Sequence, residues 1–176
     1  MPGRTDEMRI IEKAREQGLM DADQAAALRE EHTRLVRQGR KSSPSRLAIE
    51  KGLLSEESAK HLETEVWIEG LPDRLDHYRL VRQLGRGGMA VVFEAEDISL
   101  GKRVAIKALL PEFASNDTYL SRFHREARIA AKLTHPNTVQ VFAAGDAEGV
   151  EYLVMEYVEG RPLSEVIRAR GRLEEE

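Results

Sequence analysis

Leu84-Gly85-Arg86-Gly87-Gly88-Met89-Ala90-Val91-Val92-Phe93, then Val104-Ala105-Ile106-Lys107, then Phe123-His124-Arg125-Glu126, are the stretches whose reading decides the fold. The glycines run directly into Val91-Val92-Phe93-Glu94-Ala95, which is strand text, so they belong to a strand–loop–strand hairpin. A dinucleotide-binding turn would require a helix to begin at the glycines, and a P-loop would require Gly-Lys-Ser/Thr; neither follows. Val104 to Lys107 is a further strand that ends in lysine, after a Leu100-Gly101-Lys102 turn. Glu126 lies 19 residues beyond that lysine, on the strongest helical pattern of the chain, about Thr118 to Leu133.

Outward from this centre, residues from Asp76 onward alternate as strands over Tyr78–Leu84, Ala90–Glu96, Arg103–Leu109, Val139–Ala143 and Tyr152–Tyr157. Before Gly70-Leu71-Pro72-Asp73, a turn-like linker, Met8 to Ile68 reads as helix. The expected organisation is therefore a helical unit over 1–72 and a mixed unit over 73–176. Segment 1–76 carries 13 basic and 16 acidic residues and the remainder 14 and 15, so neither half is an electrostatic specialist.

The helical unit contains a repeat at an offset of 34: Gly18 with Gly52, Leu19 with Leu53, Ala25 with Ala59, Leu28 with Leu62. Each half reads as helix, glycine, two apolar residues, new helix. The glycines suit the position just past a helix end, and Asp21 and Ser55 suit N-caps, with Asp21-x-x-Gln24 as a capping box. An offset of 34 is also the tetratricopeptide period, but the Trp, Tyr and Pro signals of that repeat are missing. About four short helices are expected. Arg34, Arg37, Arg40, Lys41 and Arg46 between the halves read as a solvated helix end, with no aromatic interleaving for nucleic acid.

Composition excludes several chemistries. The 176 residues contain no cysteine, which removes disulfides, thiolate metal sites and thiol catalysis. Net charge is −4 and mean hydropathy −0.48, with no apolar run of membrane-spanning length and no signal-peptide core, so the cytoplasm is the expected compartment. The five histidines show no metal-ligand spacing.

The glycine loop, the lysine strand and the glutamate helix together resemble the N-terminal lobe of the eukaryotic-like protein kinases, the bacterial Ser/Thr kinases most closely. The family's third loop glycine is Ala90 here. His135-Pro136-Asn137-Thr138-Val139 resembles the turn after the glutamate helix. Tyr152 to Gly160 resembles the strand leading into the hinge, with Met155 at the gatekeeper position, and Pro162-Leu163-Ser164 to Arg170 resembles the first helix after the hinge. The resemblance covers about residues 76 to 172. It implies an α+β fold, a five-stranded antiparallel sheet with one long helix packed on it through Tyr119, Phe123, Ala127, Ala130 and Leu133.

It also implies ATP with Mg²⁺ as cofactors, protein substrates, and transfer of the γ-phosphoryl group to Ser/Thr hydroxyls in signalling. The implied cofactor-binding residues are Leu84, Gly85, Arg86, Gly87, Gly88, Met89, Ala90, Val91, Val92, Ala105, Lys107, Met155, Glu156, Tyr157 and Val158. The implied catalytic pair is Lys107, on the α- and β-phosphates, and Glu126, which fixes the lysine. At ~4 Å and an effective dielectric of ~20, that pair is worth about 4 kcal/mol before desolvation. Val92 and Ala105 would sandwich the adenine, and the Glu156–Val158 backbone would hydrogen-bond its edge. The family's H-R-D-x-x-x-x-N loop and D-F-G metal site do not occur in this sequence; His124-Arg125-Glu126 belongs to the helix. The chain is thus read as the front end of a longer kinase, inactive by itself. A pseudokinase or nucleotide-binding regulatory module is the alternative, and a protein-interaction domain acting through the helical repeat is the other.

Overall fold

The structure, a computed structural model, describes residues 4–171 and falls into two compact units, Met1–Pro72 and Asp73–Glu176. The first holds four helices, α1 (Arg4–Glu16), α2 (Ala22–Arg37), α3 (Pro44–Glu50) and α4 (Glu56–Glu69). The repeat is visible in three dimensions. Gly18 and Gly52 take φ of 70° and 68°. Leu19 N–H donates to Ala14 O and Leu53 N–H to Ala48 O, both at 2.9 Å, the Schellman closure that needs a left-handed residue. The next helices begin on the expected caps. Asp21 and Gln24 form the reciprocal capping box at 2.8 and 2.9 Å, and Ser55 Oγ accepts from Ser58 N–H at 3.1 Å.

Equivalent side chains share one core. Ala14 and Ala48, Met20 and Leu54, Ala25 and Ala59, and Leu28 and Leu62 are all buried there. Helix α1 packs on α4 as α3 packs on α2, so exchanging the halves maps the packing onto itself. Polar contacts follow the same exchange. Gln17 donates to Glu65 at 2.7 Å, and the matching Lys51 pairs with the matching Glu31 at 2.6 Å, holding the Glu31 carboxyl below its usual range. The unit is a helical hairpin and its duplicate around a pseudo-two-fold axis.

The second unit is a six-stranded antiparallel sheet in the order β1-β2-β3-β4-β6-β5: β1 (Arg74–Leu75), β2 (Tyr78–Arg86), β3 (Ala90–Asp97), β4 (Lys102–Leu109), β5 (Val141–Ala147) and β6 (Val150–Glu156). Strand β1 adds one to the five expected. It pairs with β2 through a two-residue turn at Asp76, whose φ of 56° an Asp tolerates, and it buries Leu75 completely. The β5–β6 hairpin turns on Glu148 and Gly149, both at positive φ, which suits the twist of paired strands. β5 therefore begins and ends later than the apolar run Val139–Ala143 suggests.

Helices α5 (Pro111–Ala114), α6 (Asp117–Ala130) and α7 (Leu163–Arg170) complete the unit. On α6, Phe123 and Ala127 are buried against Leu109 and Leu153, with Leu120 partly buried beside them. Tyr119 and Leu133, expected on that face, are 37% and 52% exposed. Tyr119 instead meets Phe113 of α5 edge-on at 5.0 Å, and Leu133 lies beyond the helix end. Among the described residues, no helix is long and apolar enough to cross a membrane.

Candidate functional site

The sheet has two faces because strand side chains alternate. Register places Val91, Phe93 and Ala95 with Val104, Ile106, Ala108, Tyr152 and Val154 on one face, all buried. The other face carries Val92 opposite Lys107, Glu94 opposite Ala105, and Ala105 opposite Met155. The expected adenine-sandwich residues, the lysine and the gatekeeper position thus share one face. Val91, also among the expected contacts, turns its fully buried side chain to the opposite face, so only its backbone belongs to this site.

The hairpin between β2 and β3 is closed by Gly87 N–H donating to Ala90 O at 2.8 Å. None of Gly85, Gly87 and Gly88 has a positive φ, so none is needed for a left-handed turn. A Cβ built at Gly85 or Gly88 meets nothing within 4 Å, and at Gly87 it makes an ordinary contact of 3.6 Å with Ala90 O. The fold alone would tolerate side chains here; what the glycines keep is bare backbone. Leu84 and Met89 flank it, 38% and 44% exposed, and Arg86 is exposed on the rising strand.

Lys107 is half-buried, and its Nζ lies 5.9 Å from the centroid of the Phe123 ring. It forms no ion pair with Glu126, which is exposed on α6. The helix geometry explains this. At ~100° per residue, Glu126 sits about 90° around α6 from the stripe of Leu120, Phe123 and Ala127 that faces the sheet. Lys107 therefore shares the sheet face of Val92 and Ala105, and Glu126 is not brought to it.

At the end of β6, Glu156 N–H donates to Gln140 O at 2.8 Å, so this amide is engaged within the sheet. Tyr157 is half-buried and Val158 is 63% exposed. Two grooves lie away from this face. One, of about 940 Å³ between α1 and α2, is lined by Arg15, Ala22, Arg29 and Arg37; the other, of about 540 Å³ between α6 and β5, includes His124 and Phe142. Neither contains a glycine-loop residue or Lys107, and the chemistry outweighs concavity in locating the site. Among the described residues no cluster of His, Asp and Glu is arranged to hold a metal ion.

One group of side chains escaped the sequence reading. Glu94, 8% exposed, pairs with Arg82 at 2.8 Å and with Arg103 at 3.8 Å. Arg103 also pairs with Glu159 and stacks over the Tyr157 ring at 4.9 Å, while Arg82 donates to Tyr157 Oη at 3.3 Å. Strand register, which alternation does not supply, brings Arg82, Glu94 and Arg103 together, and the segment after β6 adds Tyr157 and Glu159.

A family model described as protein kinase domain matches residues 78–176. Serine/threonine-protein kinase PrkC of Bacillus subtilis is 47% identical over 96 residues, covering 54% of this chain and 15% of that protein. Serine/threonine-protein kinase PknA of Mycobacterium tuberculosis is 46% identical over 101 residues, covering 54% and 23%. The chain thus spans under a quarter of the length of these relatives. The crystal structure of the Mycobacterium tuberculosis PknI kinase domain superposes with a TM-score of 0.51 at 29% identity, covering 59% of this chain and 43% of that one. With the glycine hairpin, the lysine strand and the sheet order in place, this chain belongs to the protein kinase domain family.

Proposed function

We propose that residues 78–171 form the nucleotide-binding part of a protein kinase that transfers the ATP γ-phosphoryl group to Ser/Thr hydroxyls of proteins. The observation that carries this reading is Lys107. Its ammonium stands on the sheet face shared with Val92 and Ala105, next to the hairpin of bare backbone in the sheet, with no carboxylate among the described residues paired to it. A cation on one sheet face and a hairpin of bare backbone N–H groups at the end of the same strands suit a polyphosphate. When bound, Mg-ATP would supply the transferable phosphoryl group and the charge that Lys107 neutralises.

Each residue has a limited task. Gly85, Gly87 and Gly88 let main-chain N–H groups reach the phosphates, Val92 and Ala105 hold the adenine by apolar contact, and Met155 limits the depth of its slot. The Glu156–Val158 backbone meets the adenine edge through groups other than the Glu156 N–H, which Gln140 occupies. Glu126 would have to turn inward, about a quarter turn of α6, to steady Lys107. The catalytic Asp and the Mg²⁺ ligands are not on this chain's described residues, so the chain by itself binds ATP weakly and transfers nothing.

The test is a titration of the chain with Mg-ATP followed by NMR, with Lys107→Met beside it. Shifts at 84–92, 105–107 and 155–158 that saturate at millimolar nucleotide, and that vanish in Lys107→Met, support the reading. Absence of those shifts, or their persistence in Lys107→Met, refutes it. Binding by the chain with no transfer by the complete protein would establish the pseudokinase alternative. A melt of the helical unit that shifts with a protein partner would support the interaction role of the repeat.

A further inference from the structure

We infer that Arg82, Glu94, Arg103, Tyr157 and Glu159 form a clamp that holds the segment after β6 to the glycine hairpin, so that the two walls of the proposed nucleotide site move as one body. The inference rests on the nucleotide-binding reading for its purpose, and on the following geometry for its existence.

Glu94 is the hub. It is almost completely covered, 8% exposed, on the sheet face that also carries Val92, Ala105 and Lys107. A buried carboxylate is costly unless both oxygens are matched. Here one oxygen takes Arg82 at 2.8 Å, directly across the β2–β3 ladder, and the other takes Arg103 at 3.8 Å from β4. Both arginines then reach past the sheet to one aromatic ring. Arg103 lies over the Tyr157 ring at 4.9 Å and pairs with Glu159, and Arg82 donates to Tyr157 Oη at 3.3 Å. Two positive and two negative charges close around Tyr157 with no net charge.

The placement gives the clamp a task. Arg82 lies three residues before Gly85 on the rising strand of the hairpin, and Glu94 two residues after Val92 on the descending strand. Tyr157 and Glu159 bracket Val158, whose side chain is 63% exposed and makes no apolar anchor of its own. Among the described residues, the side-chain hydrogen bond, ring stack and ion pair on residues 157–159 all come from these two arginines. A hinge that wanders relative to the glycine loop cannot present its backbone groups at the distance an adenine needs, and small errors in such positioning weaken binding strongly. Arg103 is suited to this role because its planar guanidinium stacks flat on a ring while its N–H groups donate to two carboxylates, whereas the compact ammonium of a lysine has no plane to stack. Arg82, Glu94 and Arg103 are positioning residues: they act on the nucleotide through the hinge.

The experiment uses the 176-residue chain with Arg103→Met, Arg103→Lys and Tyr157→Phe. Amide exchange at residues 156–160 and affinity for Mg-ATP are read by NMR, with the thermal midpoint as control. Arg103→Met is expected to speed exchange at 157–159 by about tenfold, as a locally opened segment does. It should weaken Mg-ATP by about three- to tenfold, the loss expected when about one hydrogen bond's worth of contact is misplaced. The midpoint should fall, because Arg103→Met leaves one oxygen of the nearly buried Glu94 carboxylate unmatched, and exchange and affinity are read at temperatures below the onset of that melt. Arg103→Lys should recover part of the affinity, and Tyr157→Phe, which keeps the stack and loses the Arg82 bond, should fall between. Unchanged exchange in Arg103→Met overturns the clamp, and faster exchange with unchanged Mg-ATP affinity overturns its role in nucleotide positioning. If the unsubstituted chain shows no binding of Mg-ATP, the nucleotide-binding reading fails and takes this role with it; binding that ignores Arg103 sinks the clamp alone.

Discussion

Replacing Leu62 by alanine tests the architecture of the helical unit more directly than any change in the sheet. Leu62 is completely buried in a core built from both halves of the repeat, and its counterpart Leu28 is 1% exposed. Truncating a leucine in such a place removes the transfer free energy of three carbons and leaves a cavity, together about 3 kcal/mol or more. A unit of this length, Met1–Pro72, has a total stability of about 4 to 11 kcal/mol at the usual per-residue value. Leu62→Ala therefore removes about a quarter of it or more. With a urea slope of about 1 kcal/mol per molar, the midpoint falls by about 3 M. The chain has one tryptophan, Trp67, and it lies on α4, so its fluorescence reports this unit specifically. The amide resonances of β3 and β4 follow the sheet in the same samples. Pseudo-symmetry adds a sharper demand: Leu28→Ala should lower the Trp67 midpoint by a similar amount. A drop below about 1 M for either variant at unchanged slope, or a large inequality between them, would refute the shared, duplicated core. A sheet transition that shifts in step with Trp67 would refute the division into two units.

Gly52→Ala should cost about 1 to 2 kcal/mol in the same urea assay, because a Cβ there meets nothing and the whole penalty comes from the left-handed backbone at φ 68°. Gly145→Ala should also destabilise, by about 1 to 3 kcal/mol, for a different reason: its Cβ would stand 2.8 Å from Oη of Tyr152, a buried ring that cannot swing away; a Tyr152→Phe background should relieve part of that loss. Asp97 accepts hydrogen bonds from Ser99 Oγ at 2.5 Å, Ser99 N–H at 2.9 Å and Leu100 N–H at 3.1 Å, with His77 at 3.9 Å, and the Ser99 hydroxyl first, then the backbone amides, lower its pKa. A carboxyl with a depressed folded-state pKa stabilises the fold above its unfolded value and loses that contribution as pH falls through the folded one. Asp97→Asn should therefore be less stable than the parent at pH 7, with the gap closing below about pH 4 in pH-dependent melts; a gap that persists at pH 2 would show that the turn depends on shape rather than charge.

Much of this architecture was legible in the residues, and the exceptions have physical causes. Gly18 and Gly52 announced the helix ends because few residues other than glycine adopt the left-handed region cheaply, and Asp21 and Ser55 announced the starts. Five strands showed as apolar alternation. Strand β1 did not, because two residues carry no period and its pairing depends on the turn at Asp76. The face of α6 was read one residue type too broadly: Tyr119 is apolar at the right spacing, but the α5 turn supplies Phe113 as a nearer partner. Lys107, Val92 and Ala105 came to one face because alternation already implied it. Glu126 did not join them, since helix rotation relative to a sheet is set by packing that no local pattern encodes. The Arg82–Glu94–Arg103 group was invisible for a related reason, as it is defined by cross-strand register.

The duplicated hairpin has a consequence for what substitutions the first unit can accept. Two identical hairpins meeting as separate molecules would share every mutation, so any change at the interface would be felt twice. Joined through residues 38–43, the halves have unlike residues at matched sites. His32, buried and bonded to Ser42 at 3.2 Å, stands where the other half has Val66, and Thr33 stands where it has Trp67. The short connection also keeps the halves at an effective concentration on the order of millimolar, so a weakened contact on one side does not dissociate the pair. Covalent linkage thus converts a symmetric association into an asymmetric scaffold, with two chemically different flanks on a single repeated frame.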